Sequence, residues 1–323
     1  MDEQGFRKML EGREVPTDKI AAALALAERF EQFATQTGGF SRETSWAFST
    51  TLIAEEQNTE ENFLTLARYG LFANQQAVFV AFLEVLDGGE AQENLYRRVG
   101  ERYGIALRDE VFAGIGVAPY GIPAPEKPRY MQPVIERLEH ALGAEACRAL
   151  LADSLRDLPE YAWEREFYLS CANVDEYLLQ KKARFVAQLE TCQREGRLFF
   201  AQEITDAVLD YVRNEPEIGG GVRVGNIVYE TKIPFLTKEA LAETDPILKR
   251  YYFCHCPWAR EAVKSGAIVA PVFCNCSAGF HKKPWEAALG QKVQVDVLES
   301  VLQGDERCRF AIHLPEGVVE QSR

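Results

Sequence analysis

Two short segments hold most of the residues able to do chemistry: Arg250-Tyr-Tyr-Phe-Cys-His-Cys-Pro-Trp-Ala-Arg260 and Ala270-Pro-Val-Phe-Cys-Asn-Cys-Ser-Ala-Gly279. Each runs from an aromatic or β-branched stretch into Cys-x-Cys and then into residues that open a helix. The pairs Cys254/Cys256 and Cys274/Cys276 lie twenty positions apart. In extended backbone residues i and i+2 point to one face, so each pair is expected to aim two sulfurs in one direction. Five of the eight cysteines and three of the four histidines follow residue 250, which concentrates the reactive groups near the C-terminus.

Two chemistries fit this set. In the first, Cys254, Cys256, Cys274, Cys276 and Cys308 are metal ligands, with His255 or His281 as substitutes. A soft sulfur set suits zinc first and an iron–sulfur centre second. Cys-x-Cys is tighter than the usual Cys-x2-Cys, which leaves each pair less freedom to reach one tetrahedral centre. In the second, Cys276 is a nucleophile, His281 its base, and backbone N–H groups of the following turn an oxyanion hole. Pro257 suits the first position of a helix, and Ser277 or Gly279 opens another over 281–289. Helix N-termini favour thiolate over thiol, so both inner cysteines are expected to be acidified. Lys232 and Arg260 are candidates to bind an anionic substrate group, with Trp258 and Tyr252 as pocket wall. The plain reading is a buried junction lined by thiols, since free cysteine is among the most buried residue types. Cys147 and Cys192 fall on apolar helix faces and read as core.

The elements that must position these residues are legible by period. Residues 1–116 read as helical: Ile20, Ala23, Leu24, Ala27, Phe30 and Ala34 recur at helical spacing. Thr17, Ser41 and Thr59 are candidate N-caps, and Gly38-Gly39 and Gly88-Gly89 are stops. Residues 117–130 contain four prolines and read as a linker. The second domain, 131–323, opens with helices over 131–158, 174–195 and 199–213. It then becomes extended, with a strand over 222–229 bent at Gly225-Asn226. Near the C-terminus Val293, Val295 and Val297 alternate with polar residues, as do Cys308, Phe310, Ile312 and Leu314 after the turn at Gln303-Gly-Asp-Glu306. This predicts an antiparallel hairpin and an α+β class with a helical N-terminal domain.

Composition bounds the function. A chain of 323 residues suggests two domains. Its net charge is −13, and residues 1–130 carry 13 Lys and Arg against 20 Asp and Glu. Phe6 through Phe33 faintly resembles the helical arm of tyrosine recombinases, but this charge and the missing basic footprint argue against nucleic acid. The acidic helices are better suited to packing or to a protein partner. No apolar run approaches the ~20 residues of a membrane span, and no signal-peptide pattern opens the chain. A cytoplasmic location is expected, with cysteines present as thiols or ligands rather than disulfides.

The run Val297-Leu-Glu-Ser-Val-Leu-Gln-Gly-Asp-Glu-Arg-Cys-Arg-Phe-Ala-Ile312 resembles the end of the 4-vinyl-reductase domain, whose signature is a Gly-Asp-x-x-Cys turn before an aromatic strand. Residues 131–315 are similar to an uncharacterised bacterial and archaeal family related to that domain and to aminothiazoline-carboxylate hydrolase-like proteins. Thr231-Lys-Ile-Pro234, Cys254-His-Cys-Pro257, Phe273-Cys-Asn-Cys-Ser277 and Gly304-Asp-Glu-Arg-Cys308 carry the likeness. It implies a curved antiparallel sheet packed by helices around a small-molecule pocket, with a zinc near the terminal hairpin and Cys308 as its last ligand. Ser300 and Val297 stand where that pattern has a cysteine and an acid, so the site has either moved to the two Cys-x-Cys units plus Cys308 or been lost, and the five thiols remaining in the domain favour the move. The expected function is metal-dependent binding or sensing of a small molecule. Thiolate- or metal-dependent hydrolysis of a small carbon–nitrogen or carbon–sulfur compound is the alternative.

Overall fold

The computed structural model describes residues 1–320. Side-chain caps begin several of the N-terminal helices. Asp2 accepts from the Gly5 N–H to open α1 (Glu3–Gly12). Ser41 and Thr59 do the same for α3 (Arg42–Ala54) and α4 (Glu60–Phe72). Between them α2 (Thr17–Thr37) starts after Pro16 and stops at Gly38, whose φ of +109° is in the left-handed region glycine favours. Then follow α5 (Gln76–Leu86), α6 (Ala91–Tyr103) and α7 (Ile105–Phe112). Phe6, Phe30, Phe48, Phe63 and Phe82 fill the core between the first five, and Phe235 from the C-terminal half joins them.

Residues 117–130 are not a solvated linker. Their prolines do interrupt helix, but Ala118, Ile122 and Ala124 are buried, and a short 3-10 turn at Ala124–Glu126 leads straight into α8 (Lys127–Leu142). The buried Lys127 ammonium donates to the carbonyls of Glu84 (2.8 Å) and Asp87 (3.1 Å), capping the end of α5. One apolar cluster holds Leu95 and Val99 on one side of this segment and Leu138, Leu150, Trp258 and Phe273 on the other. The core therefore runs across the boundary that proline content suggested.

Helices α9 (Ala144–Leu151), α10 (Ala162–Leu169), α11 (Val174–Arg194) and α12 (Asp206–Asn214) follow. The class is α+β, with one antiparallel sheet in the C-terminal region. Strands β1 (Val222–Val224), β2 (Ile227–Thr231), β3 (Gln294–Glu299) and β4 (Arg309–His313) lie in the order β1-β2-β4-β3. The Gly225-Asn226 hairpin forms with Val224 opposite Ile227. The terminal hairpin pairs Val295 with Ile312 and Val297 with Phe310, as the alternation predicts. Within β2–β4, Glu230 lies opposite Phe310.

The reactive segments sit on α13 (Thr237–Ala242), α14 (Pro246–Phe253), α15 (Pro257–Ser265), a 3-10 stretch at Pro271–Ala278 and α16 (Gly279–Leu289). Two local expectations change here. Tyr251, Tyr252 and Phe253 are helical, because Asp245 accepts from the N–H groups of Ile247 and Leu248 and Pro246 occupies the first turn of α14. Cys274 and Cys276 lie in the 3-10 stretch rather than in extended backbone. Only Cys254 and Cys256 have extended dihedrals, with ψ of 123° and 112°.

Candidate functional site

All five C-terminal cysteines border one cavity of about 490 Å³. Cys254 and Cys256 reach it from the extended joint between α14 and α15, Cys274 and Cys276 from the 3-10 stretch, and Cys308 from just before β4. The two motifs thus converge although their local backbones differ. All are free thiols. The rest of the wall mixes aromatic side chains, such as Phe235, Phe280 and Trp258, with charged ones, such as Arg156, Glu230 and Lys232.

Cys276, expected to be acidified, is not. Burial pushes Cys254, Cys274, Cys276 and Cys308 above the ordinary thiol range. At Cys276 the Leu155 N–H, 3.2 Å from Sγ, and the Arg156 charge pull the other way without overcoming burial. Cys276 also lies ahead of α16 inside the 3-10 stretch rather than at its cap. The helix-terminus argument for an activated Cys276 therefore loses to desolvation. Gly279 permits this packing, since a Cβ there would stand 2.6 Å from the Ser154 backbone nitrogen.

The donor set does not close around a metal in this arrangement. Among the described residues no three His, Cys, Asp or Glu side chains form a group able to hold a metal ion. Contacts hold four of the sulfurs: Cys254 Sγ donates to the Cys256 carbonyl at 3.6 Å, Cys276 Sγ takes the Leu155 N–H, and Cys274 and Cys308 bond to the backbone at Leu302 and Val301.

Glu230 and His281 form a hydrogen-bonded pair in the cavity wall. Glu230 sits on the buried face of β2, and its Oε1 accepts from Lys181 Nζ (2.8 Å) and Trp285 Nε1 (2.9 Å). Its Oε2 meets His281 Nδ1. Burial opposes ionisation of Glu230, but Lys181 and His281 outweigh it and its carboxyl is held well below the usual range. The imidazole is pushed down by burial, which Glu230 only partly offsets. A neutral ring that donates Nδ1–H to the carboxylate leaves Nε2 as an acceptor. His281 stacks on Phe310 with ring centroids 4.0 Å apart, and its buried Nε2 has no partner among the described residues.

Lys232 lies one residue past β2, its backbone N–H on the Cys308 carbonyl (3.2 Å). Its ammonium donates to Ser277 Oγ at 2.6 Å and lies 4.7 Å from the Phe280 ring centroid. Among the described residues no carboxylate pairs with it. By contrast Arg156, also on the cavity wall, is already paired with Asp87 and Glu90.

The other expected site residues divide. Trp258 lines the cavity, with its indole N–H on the Gly88 carbonyl at 2.9 Å. His255 lines it too, but it is half-buried with its ring on the Ile233 carbonyl (2.7 Å), and desolvation pushes it down to about 4. Arg260 is not a substrate group: it is 1% exposed and ion-paired with Glu84, which also takes Arg42. Tyr252 does not border the cavity; its ring packs against Tyr251. Glu230 and Ser277 were not singled out. Glu230 could have been noticed as an acid two residues from Val228, on the apolar face of its strand.

A model of a family of unknown function, DUF6144, matches residues 239–319. The chain is similar to that family over the two Cys-x-Cys motifs and the terminal hairpin. No curated protein and no solved structure matches.

Proposed function

We propose that the protein binds a small molecule with an aromatic or apolar body and one anionic group in the cysteine-lined cavity. One observation carries this reading: the Lys232 ammonium stands beside the Phe280 and Phe310 rings with a hydroxyl but, among the described residues, no carboxylate as partner. A half-buried cation beside aromatic rings gains when an anion joins it, and a cavity that sets a few placed polar groups among aromatic side chains suits small-molecule binding. The probe is 8-anilinonaphthalene-1-sulfonate, an aromatic anion that fluoresces when enclosed. Lys232→Met should weaken its binding about tenfold or more, the scale of a charge-assisted hydrogen bond. Equal affinity in both proteins would remove the reading.

The second reading is that the five thiols take up a soft metal ion such as zinc, with an iron–sulfur centre behind it. Its support is that Cys254 lies within electrostatic range of Cys256, Cys274 and Cys308. The sulfurs would have to leave their present contacts and converge. Elemental analysis of anaerobically purified protein tests it, a metal content far below one per chain counting against it.

A further inference from the structure

The turn at 199–202 holds an aromatic side chain in a strained position and leaves it uncovered. Phe199 and Gln202 exchange backbone hydrogen bonds of 2.9 and 3.1 Å. Between them Phe200 has φ of +53°, in the left-handed region that bulky residues avoid. Buried neighbours fix the turn: Ala201 packs in the N-terminal core, and the buried Gln202 amide donates to the Pro234 carbonyl (2.9 Å) and accepts from the Thr237 N–H (3.0 Å). Phe200 itself is 61% exposed, yet it borders the cysteine-lined cavity. Folding therefore gains little burial from Phe200 against the strain. Among the described residues six non-glycine positions have positive φ, and the two aromatic ones, Tyr161 and Phe200, both border this cavity. Backbone strain of this kind collects at ligand sites.

Phe200 is also the middle of a row of rings. Centroids lie 5.6 Å apart for Phe185 and Phe199, 4.8 Å for Phe199 and Phe200, 5.9 Å for Phe200 and His255, and 5.5 Å for His255 and Phe235, each pair edge to face. All five border the cavity. Lys232 borders it too and lies within electrostatic range of His255. We infer that Phe200 is the specificity-determining residue of this cavity, and that the ligand is a flat aromatic acid with its rings against this row and its anionic group on Lys232. This deepens the anion-pocket reading above and rests on it. Aromatic rings pair edge to face or offset with a gain beyond the area they bury, which an aliphatic chain does not receive. Phe200 is the exposed member of the row, the others being half-buried or buried, so it has the most surface left for a ligand to cover.

The test uses the full-length protein and two carboxylates of similar hydrophobicity, the flat 2-naphthoate and the flexible octanoate. Their binding is read by displacement of 8-anilinonaphthalene-1-sulfonate. Wild-type protein should bind 2-naphthoate about tenfold more tightly than octanoate, the scale of one or two aromatic pairs. Phe200→Asn suits a left-handed backbone. It should lose most of that preference, hold octanoate affinity within about threefold, and unfold in urea at a midpoint near or above that of wild type. Phe200→Leu keeps the apolar bulk without the ring and should lose the preference as well. Equal affinity for the two acids in wild type, failure of both to displace the dye, or a preference that survives in either variant overturns this inference. So does a Phe200→Asn midpoint well below wild type, which would make the ring part of the packing. Lys232→Met decides the underlying reading separately, because an unchanged dye affinity there removes the anion pocket itself.

Discussion

Arg260 and Glu84 form an ion pair across 176 residues of sequence, with side chains only 1% and 2% exposed. The pair ties α15 to α5. Glu84 also receives Arg42, whose guanidinium donates to the Tyr251 hydroxyl at 3.1 Å, and that hydroxyl donates to Glu261 at 3.0 Å. The N-terminal helices are thereby joined to both flanks of the first cysteine motif. Removing one member of a buried pair leaves an uncompensated charge, which costs roughly 3–5 kcal/mol. Glu84→Leu strands two guanidiniums and should cost at least that much in urea unfolding. Arg260→Met should cost less, because Arg42 still neutralises Glu84. The reverse order would mean that the pair is not organised around Glu84.

Lys127 makes stability depend on pH in a direction opposite to the thiols. Burial lowers its ammonium to about 8, with Asp87 pulling partly back and Arg156 adding to the drop. An unfolded lysine titrates near 10.4. Between those values the unfolded chain binds more protons, so this residue's contribution to stability rises with pH across that interval and is flat below it. Comparing wild type with Lys127→Met by urea unfolding at pH 7.5 and pH 10 isolates the effect. The wild type should gain on the order of 2 kcal/mol relative to the variant, and a relative loss would refute the assignment.

Burial also predicts how the thiols react. Cys254, Cys274, Cys276 and Cys308 are all pushed up in the folded protein, and only thiolate is nucleophilic. Iodoacetamide at pH 7.5 should alkylate these four more slowly in the folded protein than in urea, because burial holds them as thiols. Mass spectrometry of peptides reads each site. Fast labelling of Cys276 in the folded state would restore it as a nucleophile.

The C-terminal hairpin and the helical N-terminal half were legible because their signals are local. Val293, Val295 and Val297 alternate, and Ser41 and Thr59 cap helices within four residues. Convergence of the five cysteines was also readable, though for a partly mistaken reason. The i, i+2 argument holds for Cys254 and Cys256, whereas Cys274 and Cys276 reach the cavity through a 3-10 turn. What sequence did not disclose depends on distant partners. Arg260 has the type of a substrate-binding residue, and only Glu84, far away in the chain, shows it to be a structural cation. Proline content located the break in helix at 117–130 but carried no information on whether Ala118 and Ile122 would be buried. His281 was singled out as a partner for the nearby Cys276, while its observed partner, Glu230, lies on a strand 51 residues earlier.

The shared core has a bearing on chains that carry the matched segment. Trp258 and Phe273 belong to residues 239–319, yet they are covered by Leu95, Val99, Leu138 and Leu150, all from outside it. Cut out alone, the segment would open two large aromatic side chains to water and lose the carbonyl that holds the Trp258 indole. Any other protein with the same stretch must therefore furnish its own apolar roof over those rings. The nature of that roof, rather than the motif itself, is where such proteins are free to diverge.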